Sequence, residues 1–384
     1  MYNFIFKNPT KLIFGKGTIA SLTTEIPIGK RVMMTYGGGS IKNNGVYDQV
    51  KAALHNYNII EFSGIEPNPT YETLMQAVAL AKEQKIDYFL AVGGGSVIDG
   101  TKFIVTAMLY DGDPWEFMID PSKAKHALPF ATVLTLPATG SEMNNGSVIS
   151  KKATHEKLAF AIAETYPQFS ILDPEVTFSL PKRQLANGVV DAYVHVMEQY
   201  LTFPSESMIQ DRFAEGILST LTEIGEKVVN SKPEYDLRAN FMLSATMALN
   251  GFISMGVPQD WATHMIGHEL TALYGLDHAV TLAIVQPSLL RVMRNEKREK
   301  LLQYADRVWH LTQGSEEGRI EAAIQKTESF YRNLGIKTKL SEHGIDNKSF
   351  DSIAERFATR GWKLGEKQSI TPELIREILN GCLS

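Results

Sequence analysis

Residues 86–109 read IDYFLAVGGGSVIDGTKFIVTAML. An apolar run is closed by Gly93, Gly94 and Gly95, and helix-like text follows. Strand, glycine turn and helix in that order make one unit of a parallel sheet with helices packed on it. In detail, the glycines are expected to turn, Ser96 to cap, and the helix to run from Val97.

Outward from this stretch the plan repeats. KRVMMTYGGGS (30–40) is a second apolar run ending in glycines, NIIEFSGIEPNP (58–69) a β-branched run ending in prolines, and FATVLTLPATGSE (130–142) a further run of the same kind. Between them, Leu74, Val78 and Ala81 of residues 71–85 share a helical face. From Pro181 onward helical patterns follow one another at 182–201, 208–229, 235–253, 261–274 and 298–311, with almost no strand-like alternation. Ser179 ahead of Pro181 suits a helix start. The expected fold class is therefore an α/β N-terminal Rossmann-like domain with a parallel sheet over 1–179, plus an all-α C-terminal domain over 180–384. The run RNEKREK (294–300) mixes both signs of charge and is expected to be a solvated helix face.

Bulk properties exclude several classes. A net charge of -5 makes no broad case for nucleic acid or an anionic membrane. No run of apolar residues is long enough to span a bilayer, and the start, MYNFIFKNPTKLIF, lacks the apolar core of a signal peptide. The single cysteine, Cys382, cannot form an intrachain disulfide, which fits a reducing compartment. A soluble cytoplasmic protein that binds no nucleic acid and no membrane is expected.

The two GGGS stretches carry the first chemical signal. Glycine lets a backbone pass close to a phosphate, and a helix that starts there offers N–H groups and a favourable dipole. One such loop reads equally well as a tight turn with no ligand. Two in one α/β domain, with TLPATGSEMN (135–144) beside them, point to a nucleotide, although the spacing is not G-x-G-x-x-G. The first loop, Gly37, Gly38, Gly39 and Ser40, offers space and a hydroxyl but no carboxylate, with Lys42 close behind. An adenosine 2′-hydroxyl is usually read by a carboxylate, so this loop favours NADP(H) over NAD(H).

WATHMIGHELTALYGLDHA (261–279) holds three of the nine histidines, His264, His268 and His278, among apolar neighbours. Burying imidazole is costly unless the chain or an ion satisfies its ring nitrogens. His264 and His268, four apart, share a helix face, and so do Asp191 and His195 upstream. Any one of these histidines reads more simply as a satisfied core residue. Four with an aspartate in one apolar helical domain point to a bound ion, and this ligand set suits Zn²⁺ or Fe²⁺ rather than Ca²⁺. The metallopeptidase pattern H-E-x-x-H fails, because Met265 follows His264.

Together, TYGGGSIK, GGGSVIDGTKF, TLPATGSEMN, ANGVVDAYVHVMEQY and THMIGHELTALYGLDHA resemble the iron-containing alcohol dehydrogenases, and within them the NADPH-dependent butanol dehydrogenase and aldehyde reductase branch. The resemblance covers essentially the whole chain and implies the fold that this family shares with dehydroquinate synthase. It implies that Asp191, His195, His264 and His278 are metal ligands and that His268 is a partner near the metal. It also implies that Gly94, Gly95 and Ser96 bind the pyrophosphate and that Asp99 lies close to the nicotinamide. Thr135, Leu136 and Thr139 would line the cofactor cleft, and Lys157 would reach the nicotinamide-side ribose. The family's NAD-dependent members carry an aspartate in the first loop where Gly38 or Gly39 stands here, in agreement with NADP(H). A homodimer is what the family suggests.

The expected reaction interconverts short-chain aldehydes and primary alcohols. Hydride passes between the nicotinamide and the carbonyl carbon, while a divalent cation supports the charge growing on oxygen. His268, one turn from His264, is the candidate proton relay, with plain packing as the other reading. Trp261 and Phe252 would either line an apolar pocket or fill the core. Three other classes stay open: a metal-dependent hydrolase, which leaves the glycine loops unexplained; a dehydroquinate synthase-type lyase, which needs basic residues around a phosphorylated substrate; and a non-catalytic protein with a structural ion.

Overall fold

The structure, a computed structural model, describes residues 1–384. It divides into an α/β unit, Lys7–Pro181 with Lys232–Asn250, and a helical unit, Met1–Phe6 with Lys182–Ser231 and Gly251–Ser384. This differs from a single cut between residues 179 and 180.

The α/β unit is built on strands β1 (Lys11–Phe14), β2 (Arg31–Tyr36), β3 (Asn58–Phe62), β4 (Tyr88–Gly94), β5 (Phe130–Leu136), β6 (Gly146–Lys151), β7 (Glu156–Ala161) and β8 (Phe169–Leu172). Six form one parallel sheet in the order β1-β8-β5-β4-β2-β3. Helices α1 (Leu22–Glu25), α2 (Val46–Ala53), α3 (Tyr71–Glu83), α4 (Gly95–Ala107) and α5 (Trp115–Ile119) fall between them in the chain. β4 is buried along almost its whole length, as a central parallel strand must be when both faces are covered. From β2 the chain steps to β3 on one side, and from β4 to β5 on the other, while β2 and β4 are neighbours with Tyr36 opposite Val92. That reversal is a topological switch point, where ligands settle beyond the carboxyl ends of the strands. Loops 37–40 and 93–96 leave those two adjacent strand ends, and residues 137–139 leave the next one. β6 and β7 form an antiparallel hairpin that the sequence reading does not anticipate.

From Lys182 the chain is helical: α6 (Lys182–Tyr200), α7 (Met208–Asn230), α8 (Tyr235–Ala248), α9 (Ala262–Tyr274), α10 (His278–Val292), α11 (Arg298–Arg307), α12 (Glu316–Asn333), α13 (Phe350–Thr359) and α14 (Pro372–Gly381). α8 belongs with the sheet. Arg238 donates to Thr177 O at 2.9 Å and Thr246 Oγ1 to Glu142 Oε1 at 2.5 Å, partners that a helical pattern cannot reveal. α6 is buried almost throughout from Leu185 to Tyr200. The run 294–300 is solvated only in part: Arg294, Asn295, Glu296 and Glu299 are exposed, whereas its two lysines are buried. Lys297 is 1% exposed, with Nζ 2.9 Å from Asp260 Oδ2 and 2.8 Å from Glu366 Oε2, and Lys300 Nζ is 2.6 Å from Asp211 Oδ1. No helix is long and apolar enough to cross a membrane.

Candidate metal centre and nucleotide loops

Within the helical unit, α6 brings Asp191 and His195 onto one buried face, and α9 brings His264 and His268. The candidate ligand atoms of Asp191, His195 and His264 all lie within 4.8 Å of one another. His195 and His264 stack with ring centroids 4.6 Å apart and planes at 23°. His278 opens α10, directly after the N-cap residue Asp277. Its Nε2 is 3.7 Å from Asp191 Oδ1, and its ring is 5.1 Å from that of His264. The close approach depends on Gly267: a Cβ there would lie 2.9 Å from Thr281 Oγ1 of α10. Three of the four expected ligands thus form one group, and His278 adjoins it through Asp191 and His264. His268 stands outside the three-residue group, with its ring 5.2 Å from His278 and 6.2 Å from His264.

These residues suit a borderline cation. His195 Nδ1 is buried with no hydrogen-bond partner, a state that costs about 1–3 kcal/mol and that a cation here would relieve. Burial pulls the His195 pKa down to about 4, so the ring is neutral at ordinary pH, the form that ligates metals. One carboxylate and three imidazoles form the donor set expected for Zn²⁺ or Fe²⁺.

Several neighbours escape the sequence reading. Glu198, one turn beyond His195, hydrogen-bonds to His264 Nδ1, and burial together with Asp260 pushes its carboxyl well above the usual range. Trp261 is not the first residue of α9 but its left-handed N-cap, at φ 66°, and its ring sits edge-on to His264 at 5.3 Å. Such a backbone in a non-glycine residue stores strain that its surroundings must hold. Phe252 packs edge-on against Phe6 and Phe213. Glu269 pairs with Arg356 at 2.9 Å and Arg360 at 2.6 Å.

In the α/β unit the two glycine loops differ physically. In the second, a Cβ on Gly93 would lie 2.5 Å from Val97 Cγ2, one on Gly94 3.0 Å from Leu136 Cβ, and one on Gly95 2.4 Å from Thr139 Oγ1. These glycines are required by the protein's own packing as well as by any ligand. α4 starts at Gly95 with Gly94 as its N-cap and no side-chain cap, so Ser96 lies inside the first turn rather than capping it. In the first loop a Cβ on Gly38 or Gly39 would meet nothing within 4 Å, and Ser40 is exposed. Gly37 is closer, with Ile65 O 3.2 Å from such a Cβ. Lys42 Nζ lies over the rings of Tyr36 and Tyr47, at 5.4 and 5.1 Å. Glu61 of β3 accepts from both of those tyrosines, at 3.0 and 2.7 Å.

Asp99 is occupied by its own chain. Its Oδ1 accepts from Ser141 Oγ at 2.5 Å and its Oδ2 from Val148 N at 2.9 Å, and burial raises its pKa. Lys102, missed from the sequence, is fully buried and donates to Ser141 Oγ (2.7 Å), Asn144 Oδ1 (3.1 Å) and Gly146 O (2.7 Å). Thr139 Oγ1 accepts from Ser141 N at 3.1 Å. Lys157, on β7, donates to Asn68 Oδ1 at 2.9 Å. Thr135 is buried and Leu136 half-buried, at the end of β5.

Residues 9–174 match the family described as iron-containing alcohol dehydrogenase, and residues 185–383 match the C-terminal part of the Fe-containing alcohol dehydrogenase family. The chain is 55% identical to the NADPH-dependent aldehyde reductase YqhD of Escherichia coli (strain K12), over 98% of this chain and 99% of that protein. It is 39% identical to NADH-dependent butanol dehydrogenase A of Clostridium acetobutylicum, over 98% and 99%. The crystal structure of E. coli K-12 YqhD superposes with a TM-score of 0.98 at 54% identity, covering 99% of both chains. The chain belongs to the iron-containing alcohol dehydrogenase family.

Proposed function

We propose that this protein is a metal-dependent oxidoreductase that interconverts short-chain aldehydes and primary alcohols with NADP(H), acting as an aldehyde reductase. The observation that carries the reading is the convergence of Asp191, His195 and His264 within 4.8 Å, with His278 beside them. A divalent cation held there, Fe²⁺ or Zn²⁺, supplies Lewis-acid stabilisation of negative charge developing on the substrate oxygen. The chain's own residues do the rest. The N-terminus of α4 and Gly94–Ser96 receive the pyrophosphate. Thr135, Leu136, Thr139 and Lys157 flank the coenzyme, and Asp99 with Lys102 fixes the 139–148 segment. His268 is the candidate proton carrier next to His278.

NADP(H) preference is supported by the open Gly38–Gly39 turn, which carries no acid, and by Lys42 behind it. The hydrolase and lyase alternatives gain no support from the relatives. Self-association as a homodimer is part of the proposal. Tyr2, Phe4, Ile5, Phe6, Met208, Ile209 and Phe213 are all exposed, and exposed apolar side chains of this kind favour a partner. We infer a cytoplasmic setting, in keeping with a free, buried Cys382.

Absorbance of the reduced nicotinamide is the direct test, with butanal and either NADPH or NADH, before and after chelation. Oxidation of NADPH that chelator abolishes is expected. Turnover indifferent to metal removal, or none with either coenzyme, overturns the reading.

A further inference from the structure

Glu198 lies three residues past His195 and on the same face of α6. Its Oε1 accepts Thr263 N–H at 2.6 Å, and its Oε2 bonds to His264 Nδ1. Beside it, Asp260 Oδ1 accepts Ala262 N–H at 2.9 Å, and Asp260 N donates to Glu198 O at 2.9 Å. α9 receives no side-chain cap from Trp261, so these two acids sit at its positive end and satisfy its first N–H groups. Asp260 is fixed in turn by buried Lys297, which also meets Glu366 and Leu201 O, each at 2.8 Å. The Glu198 carboxylate thus rests on a frame of buried partners, with one oxygen on the α9 backbone and the other on an imidazole of the cluster.

We propose, building on the metal reading above, that Glu198 is a positioning residue for the cation. With a cation on Nε2, the one proton left on the His264 ring lies on Nδ1, and Glu198 Oε2 accepts it, which fixes the tautomer and the plane of that ring. A carboxylate behind a ligating histidine also raises the basicity of the ligand nitrogen. The same side chain ties the ring to the first turn of α9, so the orientation of His264 and the start of the helix are set together.

The test uses the full chain. Glu198→Gln keeps the length of the side chain, but an NH2 donor replaces one of the two oxygens, so either Thr263 N–H or His264 Nδ1–H loses its acceptor. Stripped of metal and titrated with Zn²⁺ against a chromophoric chelator, this variant is expected to bind about 10–100-fold more weakly than the unsubstituted chain. The visible absorption of the Co²⁺-loaded protein is expected to change, and Glu198→Asp to recover part of both signals. Wild-type affinity in Glu198→Gln overturns this proposal alone, whereas no metal uptake by the unsubstituted chain overturns the metal reading together with it. Should Glu198→Gln fail to fold, correlation spectra of the Zn²⁺-loaded, ¹⁵N-histidine-labelled unsubstituted chain decide the matter. A proton on His264 Nδ1 is the expected result, and a proton on Nε2 overturns the proposal.

Discussion

Arg183 holds Asp277 at two points, Nη2 to Oδ1 at 2.6 Å and Nε to Oδ2 at 2.8 Å, and Asn187 adds a third bond to Oδ2 at 2.8 Å. All three donors come from α6, and the next residue after Asp277 is His278. The pairing fixes where α10 begins relative to α6, and so where His278 stands relative to Asp191. The Arg183 side chain is 77% exposed, so the ion pair itself contributes at most about 1 kcal/mol. Arg183→Ala is expected to leave the melting temperature nearly unchanged while weakening divalent-metal affinity about tenfold. Calorimetry and a chelator titration on one preparation check this. Unaltered affinity would mean that His278 is placed without the clamp.

Alanine at His264 or at His278 is expected to remove bound metal and aldehyde reduction together. The loss should be about a hundredfold or more, in line with the several kcal/mol that a Lewis acid contributes. Metal analysis and NADPH oxidation on the same samples are the measurement. Full activity in a metal-free variant defeats the ligand assignment.

The two glycine loops should respond in opposite ways. Gly38 has open space where a side chain would go, so Gly38→Asp is expected to fold normally. It should weaken NADPH about tenfold or more by repelling the 2′-phosphate, with little effect on NADH. Gly95→Ala forces a methyl to within 2.4 Å of Thr139 Oγ1 and is expected to cost about 1–3 kcal/mol of stability while weakening both coenzymes alike. Fluorescence titrations with each nucleotide separate the two patterns, and equal losses in Gly38→Asp would remove the first loop from coenzyme choice.

Lys102 makes stability depend on alkaline pH. Burial lowers its pKa from 10.5 to about 8, so the unfolded chain holds this proton more tightly than the folded one. The linked stability is fully present above pH 10.5 and lost as pH falls through 8. Relative to Lys102→Met, the unsubstituted chain is expected to gain roughly 3 kcal/mol between pH 8 and 10.5. Denaturant melts of both proteins across that window check it, and parallel curves would place the ammonium in water-like surroundings.

Much of the metal set is legible in the sequence because a spacing of four puts Asp191 with His195, and His264 with His268, on one helix face whatever the helix packs against. The parallel sheet is legible for a similar reason: buried strands closed by glycines leave a local mark. What local pattern cannot carry is the identity of a distant partner. Glu198 reads as an ordinary helix residue until His264, 66 positions on, is seen against it. Lys297 reads as a solvated charge until Asp260 and Glu366 close around it. Ser96 looks like a cap because serine favours that role, but Gly94 already takes the N-cap position. The β6–β7 hairpin is missed because Asn144–Gly146 and Lys152–His155 break the pattern into short pieces.

The chain passes from one unit to the other four times, after residues 6, 181, 231 and 250. Neither half is therefore a cassette. A fragment cut at Lys182 would carry α8 without the sheet it belongs to, exposing Phe241, Met242 and Ala245, all fully buried in the intact chain. It would also lack the six amino-terminal residues that belong to its own unit. Coenzyme unit and metal unit must accordingly be synthesised, folded and inherited as one piece, and exchange between relatives by recombination has to respect all four seams.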